Sequence, residues 1–168
     1  MSNKKIYQGA VKQGGIRDGD GSYNYQISGM HPGNQIYEYN GPFDSGKKQG
    51  IGSLIIKGIS SYNGEFKDGE ITGNGTKKWE DGRSYTGSFE LGEMHGKGKW
   101  SSNNTRNSSG DVNVVYEGEF EYNKRVGQGV LTTTLTSTNT TDTTVYNGNF
   151  KDNKFNGNGT FLLLDNFV

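Results

Sequence analysis

Residues 41–48, Gly41-Pro42-Phe43-Asp44-Ser45-Gly46-Lys47-Lys48, carry the G-x-x-x-x-G-K spacing with which a glycine-rich loop and a lysine cradle phosphate. The Ser or Thr that should follow the lysine to hold magnesium is missing, and no helix signal comes after it. His31 and His95 are the only histidines, His31 in a Pro-Gly turn, and neither has further ligands at metal-binding spacing. Asp18-Gly19-Asp20-Gly21 lacks the third ligand and the late Glu of a calcium loop. Glu65, Glu117, Glu119, Asp68 and Asp81 are the carboxylates that a paired acid/base site would draw on. The chain has no Cys, hence no thiol nucleophile, disulfide or Cys-based zinc site. The expectation is a chain with no catalytic residue, no metal and no cofactor.

What organises these groups is a repeat. With Tyr62 as position zero, Gly64 falls at +2, Phe66 at +4, Gly69 at +7, Gly73 at +11 and Gly75 at +13. The same frame fits Tyr39 with Gly41, Phe43, Gly46, Gly50 and Gly52, and Tyr85 with Gly87, Phe89, Gly92, Gly96 and Gly98. It fits Tyr116 with Gly118, Phe120, Gly127 and Gly129, and Tyr146 with Gly148, Phe150, Gly157 and Gly159; Asn123 and Asn153 there replace the glycine at +7. A degenerate copy opens with Tyr7, Gly9, Val11 and Gly14, as terminal repeats often do. The phosphate-loop lookalike falls on this frame, so its glycines already have a structural reason.

A two-residue period puts Tyr62, Gly64 and Phe66 on one face of a strand and Asn63 and Glu65 on the other. The +7 site takes Gly or Asn, the residues that tolerate positive φ, and so marks a hairpin turn. The return strand opens with glycines at +11 and +13, expected on the ring face, where they leave floor for neighbouring rings. Leu54, Trp79, Trp100, Leu131 and Phe161 follow on the same parity. Each unit is a hairpin, and because one hairpin is not stable alone, the copies must stack into a meander.

Y-x-G-x-F-x-x-G-x-x-x-G-x-G resembles the MORN (membrane occupation and recognition nexus) repeat. The copy nearest to it is Tyr85 to Trp100, which includes His95-Gly96-Lys97-Gly98. The resemblance spans about residues 7–163 and implies an all-β fold, an elongated single-layer antiparallel β-meander with an aromatic-lined groove. It also implies a non-catalytic scaffold in cytoskeletal, ciliary axonemal or membrane-associated assemblies. On this reading residues 1–168 are one array, with repeats starting near 7, 39, 62, 85, 116 and 146. Insertions at about 28–35, 101–111 and 132–144 break the period, which is 23 residues between Tyr39, Tyr62 and Tyr85 and 32, 31 and 30 elsewhere. These polar stretches are expected to be mobile loops.

Lys+Arg and Asp+Glu balance at 18 each, so nucleic acid, which needs a basic surplus, is not an expected partner. Leu, Ile, Val and Phe make up roughly a fifth of the chain, so apolar contacts must come largely from rings. The start has no apolar signal region and no apolar run reaches membrane-span length, which predicts a cytoplasmic protein; the resemblance implies the cytoskeleton or a cilium. Lipid binding is the rival function. At +8 and +9, however, the basic pairs Lys47-Lys48 and Lys124-Arg125 are interrupted by Glu70-Ile71 and Glu93-Met94. Other proteins of a large assembly are the expected partners, with strand addition at the terminal hairpins. The expected anchors are Tyr62, Phe66, Trp79, Tyr85, Phe89, Trp100, Tyr116, Phe120, Tyr146 and Phe150, because buried rings concentrate interface energy.

Overall fold

The computed structural model of the chain describes residues 5–30, 33–107, 110–137 and 140–167. His31 and Pro32, the heart of the first expected turn, lie outside them. The described residues form strands, turns and bends with no helix. The strands are β1 (Lys5–Lys12), β2 (Ile16–Met30), β3 (Gly33–Asp44), β4 (Lys47–Lys48), β5 (Gly50–Ile56), β6 (Ser60–Lys67) and β7 (Glu70–Trp79). They continue as β8 (Arg83–Glu90), β9 (Glu93–Asn107), β10 (Gly110–Glu121), β11 (Lys124–Thr136), β12 (Thr140–Lys151) and β13 (Lys154–Phe167). Their order in one sheet follows the chain from β1 to β13, with the short β4 paired to β3. All the registered pairs are antiparallel, as a meander of hairpins requires. The chain divides into two compact units, Met1–Asp81 with Phe89–Gly92 and Gly82–Ser88 with Glu93–Val168.

The tight turns are two residues long, and both residues take positive φ. The pairs are Ser45 (50°) and Gly46 (86°), Asp68 (54°) and Gly69 (97°), Leu91 (50°) and Gly92 (81°), Tyr122 (45°) and Asn123 (66°), Asp152 (48°) and Asn153 (69°). This is the hairpin turn whose twist matches that of the flanking strands. Sequence reasoning located its second residue but not its first, where four residue types stand in five copies. Leu91 is the costliest of these, because a Cβ-bearing apolar residue in the left-handed region forfeits about 1–2 kcal/mol. It is exposed and packs little. Leu91→Asn is therefore expected to raise stability by about 1 kcal/mol, read as a higher urea midpoint at unchanged slope; an unchanged or lower midpoint contradicts it.

Each turn is also tied sideways. Within the first unit the +7 amide donates to the +9 carbonyl of the preceding repeat, Gly69 to Lys48 (2.9 Å) and Gly92 to Ile71 (2.9 Å). Gly46 donates to Arg17 (2.8 Å), which stands at +10 because the degenerate first copy carries one extra residue. In the second unit Asn123 donates to Met94 (3.0 Å) and Asn153 to Arg125 (3.1 Å). Where Asn replaces Gly it adds a second bond, its Oδ1 accepting from the Met94 amide (2.9 Å) or the Arg125 amide (2.9 Å). That gain explains why Asn is found at a position otherwise held by Gly.

Two expectations need correction. Of the two return-strand glycines only the one at +13 lies beneath the rings. The +11 glycine takes a left-handed bulge, with φ of 57° at both Gly73 and Gly127. A Cβ at Gly73 would stand 2.5 Å from the Glu65 carboxylate, so the bulge needs both the φ and the bare Cα of glycine.

The insertions were expected as loops, but their described residues are mostly strand. In the second, Ser101, Ser102 and Asn103 pair with Val115, Val114 and Asn113. In the third, Thr132 to Thr136 pair with Val145 to Thr141 and also with Val115 to Asp111. In the first, Ile27 pairs with Gln35 and Met30 with Gly33. Each insertion lengthens both arms of a hairpin, and the third finds backbone partners in the lengthened strands beside it. The β-branched Thr and Val suit a pleated surface better than their polarity suggested.

Candidate interaction surface

The repeat's rings form one packed row in each unit. In the first, Tyr39 meets Phe43 (5.0 Å) and Phe66 (5.1 Å), and Tyr62 meets Phe66 (5.3 Å) and Phe89 (5.2 Å), all edge to face. In the second, Tyr85 meets Phe120 (5.1 Å), Tyr116 meets Phe120 (5.1 Å) and Phe150 (4.9 Å), and Tyr146 meets Phe150 (5.3 Å). Phe66, Phe120 and Phe150 thus each bridge two tyrosines, in the geometry the ring quadrupoles favour. Each tyrosine lies over a cross-strand glycine pair: Gly64 faces Gly75 under Tyr62, Gly118 faces Gly129 under Tyr116, and Gly148 faces Gly159 under Tyr146. The ring is pinned by its hydroxyl, which donates to the backbone carbonyl three residues on. The acceptors are Pro42 (3.0 Å), Glu65 (3.1 Å), Ser88 (2.9 Å), Glu119 (3.1 Å) and Asn149 (3.2 Å).

Eight of the ten expected anchors, namely Tyr62, Phe66, Tyr85, Phe89, Tyr116, Phe120, Tyr146 and Phe150, are therefore the sheet's own core, each at most 5% exposed. They cannot reach a partner without unpacking one another. Trp79 and Trp100 differ in retaining partial exposure; Trp100 stands opposite Tyr116, and Lys77 lies over the Trp79 ring at 5.1 Å.

Burial pushes the phenols of Tyr39, Tyr62 and Tyr85 up to about 12, from an ordinary value near 10. A raised pKa means that the fold favours the neutral phenol. The stability these groups contribute is complete below pH 10 and is lost as pH rises through 12. Denaturant midpoints are expected to hold flat up to pH 10 and fall steeply above it, with the tyrosinate absorbance of these residues rising only as the fold is lost. A midpoint that stays flat through pH 12 contradicts this.

The residues at +9, and Arg17 in the equivalent place of the degenerate first copy, close over the rings. Arg17 lies 4.1 Å from the Tyr23 ring and 5.0 Å from Phe43; Lys48 lies 5.5 Å from Tyr39 and 5.7 Å from Phe66; Arg125 lies 5.6 Å from Tyr116 and Phe150. Burial lowers the pKa of Lys48 and of Arg125. At +8, Lys47 pairs with Asp68 (3.3 Å) and Lys124 with Asp152 (2.8 Å). The basic residues weighed for lipid binding are thus engaged with rings or with the next turn's carboxylate.

The other chemistry-bearing groups also do structural work. Lys47 of the phosphate-loop lookalike pairs with Asp68, and Gly46 is a turn residue tied to Arg17. Asp18 pairs with Lys12 at 2.8 Å. The Glu65 carboxylate accepts from the Asn74 amide at 2.7 Å across the Gly73 bulge, and Glu117 faces Lys99 at 3.7 Å. The His95 ring packs on Tyr122 at 4.9 Å. Among the described residues no three His, Asp or Glu stand where a metal could be held, and no helix is long and apolar enough to cross a membrane.

The opposite face of the second unit carries a groove of about 870 Å³, floored by Gly98 and Gly118 and bordered by Lys97, Lys99, Glu117 and Glu119. Sequence reasoning treated this face only as solvated. The signal for the groove was there in the small and short residues Thr86, Gly87, Val115 and Thr132 that also line it.

Hairpins of differing arm length, stacked on a ring-and-glycine row, define a β-repeat protein. The MORN repeat family matches residues 62–82, 85–106, 116–134 and 146–163. The chain belongs to the MORN-repeat family, whose repeat is a non-catalytic binding module for proteins or membranes. The copy at Tyr39 shares its geometry, down to the Tyr39 hydroxyl bond and the Phe43 and Phe66 contacts. No curated protein matches the chain.

Proposed function

We propose that the protein is a non-catalytic protein–protein scaffold and a structural component of a cytoskeletal or ciliary axonemal assembly. One observation carries the reading: the second unit spends one face on its own rings, where Trp100 keeps part of its surface exposed, and carries an open, mixed-charge groove on the other. Lysines facing glutamates across a groove suit a protein surface, whereas an anionic bilayer would require a row of one sign. The cytoskeletal setting follows the habit of MORN-repeat proteins. The test is capture of partners from the source cells by wild type and by Trp100→Ala. The variant is expected to keep its circular dichroism and lose a defined set of captured proteins. A folded variant that retains them all overturns the reading. So does flotation of the wild type with phosphoinositide vesicles at physiological salt.

A further inference from the structure

The strand order ends at β1 on one side and β13 on the other, and these two edges fit each other. Throughout the array a Gly-x-Gly arm is followed by a Tyr-x-Gly-x-Phe arm in a fixed register. The +11, +13 and +15 residues of one face the +4, +2 and 0 residues of the next. Gly50, Gly52 and Leu54 face Phe66, Gly64 and Tyr62; Gly127, Gly129 and Leu131 face Phe150, Gly148 and Tyr146. β13 is a Gly-x-Gly arm with this pairing on one side alone, Gly159 opposite Gly148 and Phe161 opposite Tyr146. β1 is the complementary arm, with Tyr7, Gly9 and Val11 in place of Tyr, Gly and Phe, and it pairs on one side with β2.

We propose that β13 of one copy takes β1 of a second copy as its next strand, joining chains head to tail. The array's own register sets Phe161 opposite Tyr7, Gly159 opposite Gly9, Gly157 opposite Val11 and, on the other face, Leu162 opposite Ile6. Several of the exposed apolar residues fall at this junction. Phe161 is 60% exposed, Leu162 50% and Leu163 64%, against Ile6 at 42% and Val11 at 55%, while the repeat tyrosines flanked on both sides, Tyr39, Tyr62, Tyr85, Tyr116 and Tyr146, are at most 5% exposed. A second copy is favoured over an unrelated strand because β1 supplies the ring, the bare Cα and the apolar residue at the three spacings that β13 lacks partners for. Such a junction is heterologous and does not close on itself, so it builds a row of copies.

The experiment is sedimentation velocity over a concentration series with three proteins. Wild type is expected to rise from the mass of one chain through that of two and beyond. Ile6→Lys blocks β1 and Leu162→Lys blocks β13, since a lysine at an edge disfavours pairing; each alone is expected to stay at the mass of one chain. Mixed in equal amounts they retain one intact β13 and one intact β1, and the expected product is a dimer that grows no further. Both substitutions fall on exposed side chains, and unchanged circular dichroism verifies the fold. Wild type that stays monomeric at every concentration overturns the proposal. So does Ile6→Lys that associates as wild type does, because β1 is then not the occupant, and so does a mixture that forms no dimer.

Discussion

Gly129→Ala is expected to destabilise the second unit by about 3 kcal/mol, the upper range for forcing a methyl into packed space. A Cβ there would meet the Tyr116 ring, with Cε2 at 2.5 Å and Cζ at 2.6 Å, and the hydroxyl in direct contact. The ring cannot yield. Its hydroxyl is held by the Glu119 carbonyl at 3.1 Å, and its edges rest on Phe120 and Phe150. Gly58→Ala is the control, because nothing lies within 4 Å of a Cβ there and only its φ of 70° is strained. Its expected cost is about 1 kcal/mol. Urea denaturation of both variants decides the matter. Equal costs would mean that glycine serves this row through its backbone freedom alone.

Tyr116→Ala is expected to cost about 4 kcal/mol, the usual loss on deleting a buried aromatic ring, because the side chain is fully buried and joins two repeats. Tyr116→Phe keeps the edge-to-face contacts and gives up one hydrogen bond, an expected cost of about 1 kcal/mol. The two variants separate the ring's packing from its pinning. Combined with Gly129→Ala they form a cycle with strong coupling: once the ring is gone, the methyl at position 129 meets little, and its cost should fall near zero. An additive double variant would show that the ring does not rest on that glycine. The measurement is again the urea midpoint and slope.

The frame Tyr-x-Gly-x-Phe with a turn at +7 was legible because period-two alternation and positive-φ residues leave marks on composition. So were the pairing of rings with glycine and the β-meander, since neither a lone hairpin nor a bare glycine row is stable by itself. What escaped notice was set by neighbours in space. The +11 glycine looks identical to the +13 glycine in sequence, and only the Glu65 carboxylate above Gly73 and its backbone φ distinguish them. The Thr- and Ser-rich insertions looked like loops because polarity alone was counted. Their strand character comes from pairing, as when Thr133 sits between Val114 and Thr144. The anchors were misplaced for a similar reason: alternation tells which residues share a face, not whether that face is already filled. Tyr62 and Phe66 fill theirs, while Trp79 and Trp100, at the far end of the return arm, keep part of their surface exposed.

The sideways bonds from the +7 amide to the +9 carbonyl have an effect beyond stability. From the Tyr39 repeat onward they hold one margin of each unit to a two-residue turn, because a longer turn would carry that amide away from its acceptor. The other margin is under no such restriction, and there the hairpins vary in length, from the short connection at Gly58 to the extended arms of β9 to β13. One border is thus uniform and the other is an outline particular to this chain. A partner gripping the uniform border meets the same backbone at every repeat and can slide by one. A partner gripping the uneven border has a single address.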